Sequence, residues 1–212
     1  MGTFAKGILG AFSGKVGTVV GSTWKGIPVM KSVSGPRKGN PTLLQLEQQA
    51  RFTLMIKFLQ PLTPLFNQTY GNGLVGMSGF NKAFSYNVLN AITGVYPVFS
   101  VNYSMLLISI GVLPNASLPA VASPLAGKLA FNWTDNSGIG KARPTDKAIV
   151  AVFCEELNHW IYNLNTATRN AGTYTLDVPA FTGKPVQTFL GFLSEDGKFV
   201  SNSVYTGQVN VL

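Results

Sequence analysis

Ala148-Ile149-Val150-Ala151-Val152-Phe153-Cys154 is an unbroken apolar run of β-branched, aromatic and small residues, and it sets the reading of the second half of the chain. It reads as a buried strand. Outward from it the same signal repeats. Apolar or alternating segments lie at 98–110, 128–134, 159–162, 172–178, 186–194 and 199–212. Turn signals separate them, among them Asp135-Asn136-Ser137-Gly138, Asn170-Ala171-Gly172, Thr182-Gly183-Lys184 and Glu195-Asp196-Gly197-Lys198. Seven short strands at this spacing predict an antiparallel Ig-like sandwich over residues 98–212. Pro114, Pro119 and Pro124 fall in the connection ahead of the strand bearing Trp133, as an edge or linker would have them.

Upstream the period changes. Leu43, Leu44, Leu46, Ala50, Phe52, Leu54, Met55, Ile56, Phe58 and Leu59 cover most of the circumference of one helix, so burial on several sides is expected. Either Asn40 with Pro41, or Thr42 with Gln45, can cap it. Pro61 kinks or ends it, and 62–70 can continue helically. A second helix is expected over 79–93, capped by Ser78, striped by Phe80, Ala83, Phe84, Val88, Ala91 and Ile92, and stopped at Gly94. Before these, residues 1–35 carry eight glycines between short apolar pieces. That suits short bent strands or an extended arm with little core of its own, ordered by lying on this chain or on a neighbour. The fold class is therefore α+β, in three parts. A glycine-rich basic arm spans 1–40, a region of two or three helices spans 41–97, and the sandwich spans 98–212.

The charges are as unevenly placed as the glycines. Residues 1–120 hold nine Lys/Arg and one acid, Glu47, while 121–212 hold seven of each, so the net charge of +8 belongs to the first part. Such a step suggests two bodies with different tasks. Only 11% of the residues are charged and 46% are hydrophobic, against about 25% charged in an average soluble domain. That favours burial against other copies or partners. The single cysteine, Cys154, excludes an intramolecular disulfide and reads as a buried inert thiol. No convincing signal peptide opens the chain, and its longest apolar stretch, 101–113, is shorter than the ~20 residues of a spanning helix. The protein is expected to be cytoplasmic when made, with virion or extracellular placement after release, and without membrane insertion.

Catalytic patterns are sparse. His159 is the only histidine, so any serine or cysteine triad must use it, and neither Glu155-Glu156 nor Cys154 beside it brings an oxyanion-hole motif. A hairpin turn is the better account of 155–159. Glu195-Asp196 reads as a hairpin tip and Asp135–Gly138 as a turn, without the spacing of a calcium loop. The glycine words at 10–21 match neither phosphate-loop spacing. No cofactor, metal or small-molecule substrate is implied. Four sequons, at Asn67, Asn102, Asn115 and Asn132, have chance as their default explanation. Lys6, Lys15, Lys25, Lys31, Arg37 and Lys38, interleaved with Phe4, Phe12 and Trp24, do make a basic arm able to contact a polyanion.

The C-terminal part resembles a fibronectin type III sandwich. Trp133 sits on an early strand like that fold's core tryptophan, and Leu176 precedes the strand at 186–193. The tyrosine corner is missing, with Phe189 nearest its place. The whole chain also resembles a Bacteroidota family catalogued as domain of unknown function 6266. The shared words are Phe12-Ser13-Gly14-Lys15-Val16-Gly17-Thr18-Val19-Val20-Gly21, Trp24-Lys25-Gly26, Lys57-Phe58-Leu59, Gly79-Phe80-Asn81, Phe131-Asn132-Trp133-Thr134-Asp135-Asn136-Ser137-Gly138, Ser194-Glu195-Asp196-Gly197-Lys198 and Asn202-Ser203-Val204-Tyr205-Thr206-Gly207. The resemblance implies a bacterial or bacteriophage source and brings no activity with it.

These readings converge on a non-enzymatic structural protein that forms a homo-oligomer or polymer, a filament or a virion-type shell or tail component. The expected assembly element is the arm, exchanging strands through Phe4, Ile8, Phe12, Val16, Val19, Val20, Trp24 and Ile27. The alternatives are a nucleic-acid-associated protein using the basic arm, and an Ig-like module that binds a ligand or glycan through exposed Trp160 and Tyr162.

Overall fold

The computed structural model describes residues 3–4, 10–24, 26–35, 39–70, 76–164 and 166–212. Two compact units divide the chain, Met1–Thr42 and Leu43–Leu212. The first is an antiparallel meander of β1 (Thr3–Phe4), β2 (Phe12–Val16), β3 (Val19–Trp24) and β4 (Ile27–Ser32), paired in that order. The glycines explain its tight corners. Gly17, at φ +58°, opens the two-residue turn between β2 and β3, where only glycine reaches that conformation without strain. The short strands expected here are present, and they pair with one another.

The second unit begins with α1 (Leu43–Leu59), a 3-10 turn over Gln60–Leu62 at Pro61, and α2 (Thr63–Thr69). α3 (Gly79–Asn90) follows, its Ser78 Oγ accepting from the Asn81 N–H at 3.2 Å. The helix stops three residues before its expected end. Gly94 is not its cap but part of β5 (Ile92–Val95), which forms a hairpin with β6 (Val98–Val101). Burial of α1 also departs from expectation. Met55, Phe58 and Leu59 in its last turns are buried, but Leu43 and Leu44 are 67% and 74% exposed and Phe52 is half exposed.

Residues 98–110 do not form one strand. After β6 the chain makes a 3-10 turn at Tyr103–Met105 and then crosses the core as a strap held largely by side chains. Asn87 takes the Leu107 N–H on Oδ1 and gives Nδ2–H to the Leu107 carbonyl, at 3.0 and 2.9 Å. Tyr70 Oη donates to the same carbonyl, Thr69 Oγ1 donates to the Ile108 carbonyl, and Ser203 Oγ accepts from the Ile108 N–H. A buried backbone without a sheet partner must be satisfied in this way.

The sandwich itself comprises β7 (Ser117–Leu125), β8 (Lys128–Thr134), β9 (Lys147–Cys154), β10 (His159–Asn163), β11 (Thr173–Asp177), β12 (Pro185–Leu193) and β13 (Val204–Asn210). One sheet has the order β10-β9-β12-β13 and the other β11-β8-β7. β7 was not expected as a strand. It holds Pro119 and Pro124, has two register shifts against β8, and sits at the sheet edge, where missing N–H groups are tolerated. The last strand is shorter than 199–212, because residues 199–203 serve the turn and the strap.

The two-sided burial of β9 and β12 explains the apolar runs Ala148–Cys154 and Phe189–Leu193 within them. Ala148, Val150, Val152 and Cys154 face the β11-β8-β7 sheet with Leu129, Phe131, Trp133 and Leu190. Ile149, Ala151 and Phe153 face the helices with Phe58, Leu62, Phe66 and the strap's Leu106 and Ile108. Antiparallel strands alternate when one face meets water, and these meet none. The boundary expected at residue 97 therefore does not divide two cores. The helices are a third layer on the sandwich, joined by Phe58, Phe153 and Trp160 with ring centroids 4.8–5.2 Å apart.

Candidate functional site

The register of the N-terminal sheet sorts its side chains by chemistry. Gly14 pairs with Gly21 and Gly21 with Met30, while Val16 pairs with Val19 and Val19 with Ser32. Paired residues share a face and neighbours along a strand alternate. One face therefore carries Phe12, Gly14, Val16, Val19, Gly21, Thr23, Met30 and Ser32, with no charge. The Phe12 ring lies across Gly21, where a Cβ would sit 2.7 Å from it. The opposite face carries Lys15, Val20 and Lys31 in one cross-strand row. Beside that row lie Thr3, Ser13, Ser22 and Val29, and beyond them Trp24 paired with Ile27.

The residues expected to act together are thus split. Phe12, Val16 and Val19 lie on the uncharged face, and Val20, Trp24 and Ile27 on the lysine face. Ile8, Lys6, Lys25, Arg37 and Lys38 lie outside the described residues, and Phe4 is placed only by its backbone pairing with Phe12. Met30 was not singled out from the sequence, yet it is 69% exposed on the uncharged face, on the edge strand β4. Its position follows only from the β3–β4 register.

β4 is one edge of the sheet and the two-residue β1 the other. Val33 donates to the Thr18 carbonyl at 2.8 Å, so by alternation Ile27, Val29 and Lys31 bond inward, and Pro28, Met30 and Ser32 face outward. Pro28 has no N–H to offer, which leaves two outward donors on this edge.

In the second unit the catalytic candidates resolve into structure. His159 pairs in register with Cys154, but Cys154 is fully buried in the apolar core and the His159 ring meets Phe181 at 6.2 Å. Glu156 is paired with Lys184, whose ammonium is held more basic by it. Asp196 caps its own turn, accepting from Ser194 Oγ at 2.6 Å and the Lys198 N–H at 3.1 Å. The Ser194 hydroxyl, and then that N–H, hold its carboxyl below the usual range. Asp135 bonds Ser137, as an Asx turn does. Trp160 is not exposed but buried, its Nε1–H donated to the Phe58 carbonyl at 3.0 Å. The glycan surface expected at Trp160 and Tyr162 therefore loses its principal ring to the core.

Arg169 carries no local signal that sets it apart from a solvated arginine. Its guanidinium is wholly buried, 3.8 Å over the Phe192 ring, with Nε–H donated to Asp146 Oδ2 at 3.1 Å and further donations to Asn136 Oδ1 and the Pro114 carbonyl. Burial lowers its pKa, and the Asp146 carboxylate opposes that shift. This network ties four loops at one end of the sandwich. A cavity of about 510 Å³ adjoins it, lined by residues 140–143, Asp146, residues 194–196 and Phe199. Its Asp146 and Asp196 carboxylates are engaged in the ion pair and the turn just described, and Lys141 lies 4.4 Å over the Phe199 ring. Among the described residues no group of three or more His, Cys, Asp or Glu is placed to hold a metal, and no helix is long and apolar enough to cross a membrane.

No curated protein matches the chain. Among solved structures it is similar to the fibronectin type III domain of the human collagen alpha-1(XX) chain, at 17% identity and a TM-score of 0.35, over 47% of this chain and 87% of that one. A family model matches residues 11–207, spanning the N-terminal sheet, the helices and the sandwich together. By that match the chain belongs to DUF6266, a family of unknown function.

Proposed function

We propose that this is a non-enzymatic structural subunit that assembles with copies of itself, and that the N-terminal sheet is its assembly element. The observation that carries this reading is the uncharged face of that sheet. A four-stranded meander by itself cannot offset its own ordering entropy by burial. Here Val16 is 46% exposed and Met30 69%. The partner is a second copy of the same face. It is flat at Gly14 and Gly21, it carries no charge to desolvate, and the lysines of both copies would point away from the contact.

The size of the contact sets its strength. β2, β3 and β4 cover about 14 by 20 Å, or about 280 Å² a face. Pairing two faces buries about 560 Å², well under the ~1,200 Å² of stable interfaces. At ~25 cal/mol per Å² the gross gain is about 14 kcal/mol, against an association cost of ~4–15 kcal/mol. A lone pair of sheets is therefore weak, and association should rise steeply with concentration. A self-complementary patch alone closes a dimer, and a polymer needs a second one. The exposed apolar side chains of the other unit, Leu43, Leu44 and Phe52 on α1 and Leu89 on α3, supply a candidate. Strand exchange at the β4 edge is limited by Pro28, so face packing is the larger contribution there.

The test compares the full chain with a chain lacking residues 1–35, by light scattering across a concentration series and by electron microscopy. Regular polymers from the full chain alone are expected. Equal assembly by both, or monomers from both at high concentration, overturns the reading.

A further inference from the structure

We infer that the lysine face of the N-terminal sheet binds single-stranded nucleic acid. The inference goes beyond self-assembly and does not rest on it, because it uses the opposite face of the sheet.

Charge is the first argument. Residues 1–42 hold six Lys/Arg and no acid. Among the described residues, none of the ion pairs involves a residue before Glu47. With no acid among residues 1–42, the counter-charge for this unit comes from outside it. A second copy supplies it poorly, since its other unit is itself net positive, with ten Lys/Arg against eight acids over residues 43–212. A polyanion supplies it well, and releases its own counterions on binding.

Geometry is the second argument. Lys15 and Lys31 flank Val20 in one row across three strands, about 10 Å apart at ordinary strand spacing. The next row offers the hydroxyls of Thr3, Ser13 and Ser22, side chains that commonly donate to phosphate oxygens. One residue pair further lies Trp24, 51% exposed, an aromatic surface on which a base can stack. Cations, hydroxyls and an aromatic ring on one sheet face make a surface that follows a phosphodiester backbone and stacks its bases without reading sequence. Anionic lipid headgroups would meet the same lysines and hydroxyls, but they bring no base to the Trp24 ring, whereas a single strand uses the lysine row, the hydroxyls and the ring together. Hence the nucleic acid is favoured.

The test is fluorescence anisotropy of a labelled oligothymidylate titrated with the full chain at several salt concentrations. Vesicles of phosphatidylserine and phosphatidylcholine run in parallel. Binding that weakens steeply with salt is expected. Lys15→Ala with Lys31→Ala should flatten the log–log salt slope by about 1.4, from ~0.7 for each phosphate contact on a single strand. Trp24→Ala should weaken binding by roughly tenfold while leaving the slope unchanged. Tryptophan fluorescence should also be quenched by the oligonucleotide in the parent and not in Trp24→Ala, because Trp133 and Trp160 are buried. Met30→Ser, on the other face, should leave binding intact while weakening light scattering, so failure of assembly is distinguishable from failure of binding. No retention of oligothymidylate at low salt, retention unaffected by the lysine and tryptophan changes, or binding to vesicles alone overturns the inference.

Discussion

Replacing Arg169 should be among the most damaging single changes to the sandwich, although no surface feature announces it. Its side chain and that of Asp146 are essentially inaccessible to solvent. Arg169→Met keeps much of the volume and the packing on Phe192. It removes the ion pair at 3.1 Å and the donations to Asn136 Oδ1 and the Pro114 carbonyl. Asp146 would keep only the Arg143 N–H, at 2.9 Å, on Oδ2, and its other oxygen already lacks a protein partner. Breaking a buried pair from one side costs about 3–5 kcal/mol, because a charge is left uncompensated. For a unit of this size each kcal/mol moves Tm by ~2–4 °C, so a fall of roughly 6–20 °C is expected in calorimetry. Arg169→Met with Asp146→Leu removes both charges and should recover most of that loss. A single variant that melts within a degree or two of the parent, or a double variant no better than the single one, would refute the assignment of this network as the clamp on the loops at 114, 136, 146 and 169.

Three other outcomes follow from the helical layer and its strap. Asn87→Ala strips the Leu107 N–H of its acceptor in a buried position, and urea unfolding should show a loss of about 2–3 kcal/mol. Gly79→Ala places a methyl group against the Phe66 carbonyl at the α2–α3 crossing; a loss of about 1–3 kcal/mol is expected by circular dichroism, and an unchanged melt would mean the helices can part there freely. Burial, then the Glu155 carboxylate, then Tyr205, push the Tyr103 hydroxyl up to about 12, and burial likewise raises Tyr70 and Tyr205. A folded-state pKa above the unfolded value means that this stability is complete below about pH 10 and drains away as pH rises through 12. Phenolate absorbance from these residues should therefore appear together with alkaline unfolding, and separation of the two events would contradict their burial.

The sandwich was readable because β9 is apolar from Ala148 to Cys154 and β12 from Phe189 to Leu193, a signal that survives without knowing the partner strands. The same runs held a further message that the linear pattern does not state. Two-sided burial demands a layer on each face, and the helices provide the second. β7 escaped because its prolines and register shifts are features of an edge, and an edge has weak alternation. The strap at 106–113 escaped for another reason. Its apolar side chains, Leu106 and Ile108, look like a strand's, but its hydrogen bonds go to Asn87, Tyr70, Thr69 and Ser203, between 20 and 95 residues away in sequence. Long-range partners of that kind leave no local periodicity. Arg169 is the extreme case, since nothing in its neighbours distinguishes a clamped guanidinium from a solvated one.

The candidate site shows the same limit from the other side. Residue types in the first 35 positions gave the charge and the apolar content of the sheet, but assigning them to faces requires the register. Lys15 and Lys31 are sixteen positions apart and become neighbours across Val20 only because β2, β3 and β4 form two tight hairpins. Moving the β3–β4 pairing by one residue would bring Lys31 to the face of Phe12, Val16 and Val19, and both surfaces would lose their character. The turn that holds β2 against β3 at Gly17 is therefore as much a determinant of function as any side chain the sheet presents. Gly17→Val should impair self-association and oligonucleotide binding together, whereas Met30→Ser and Lys31→Ala should each impair only one. If Gly17→Val left both intact, the sheet would not be the element that sorts them.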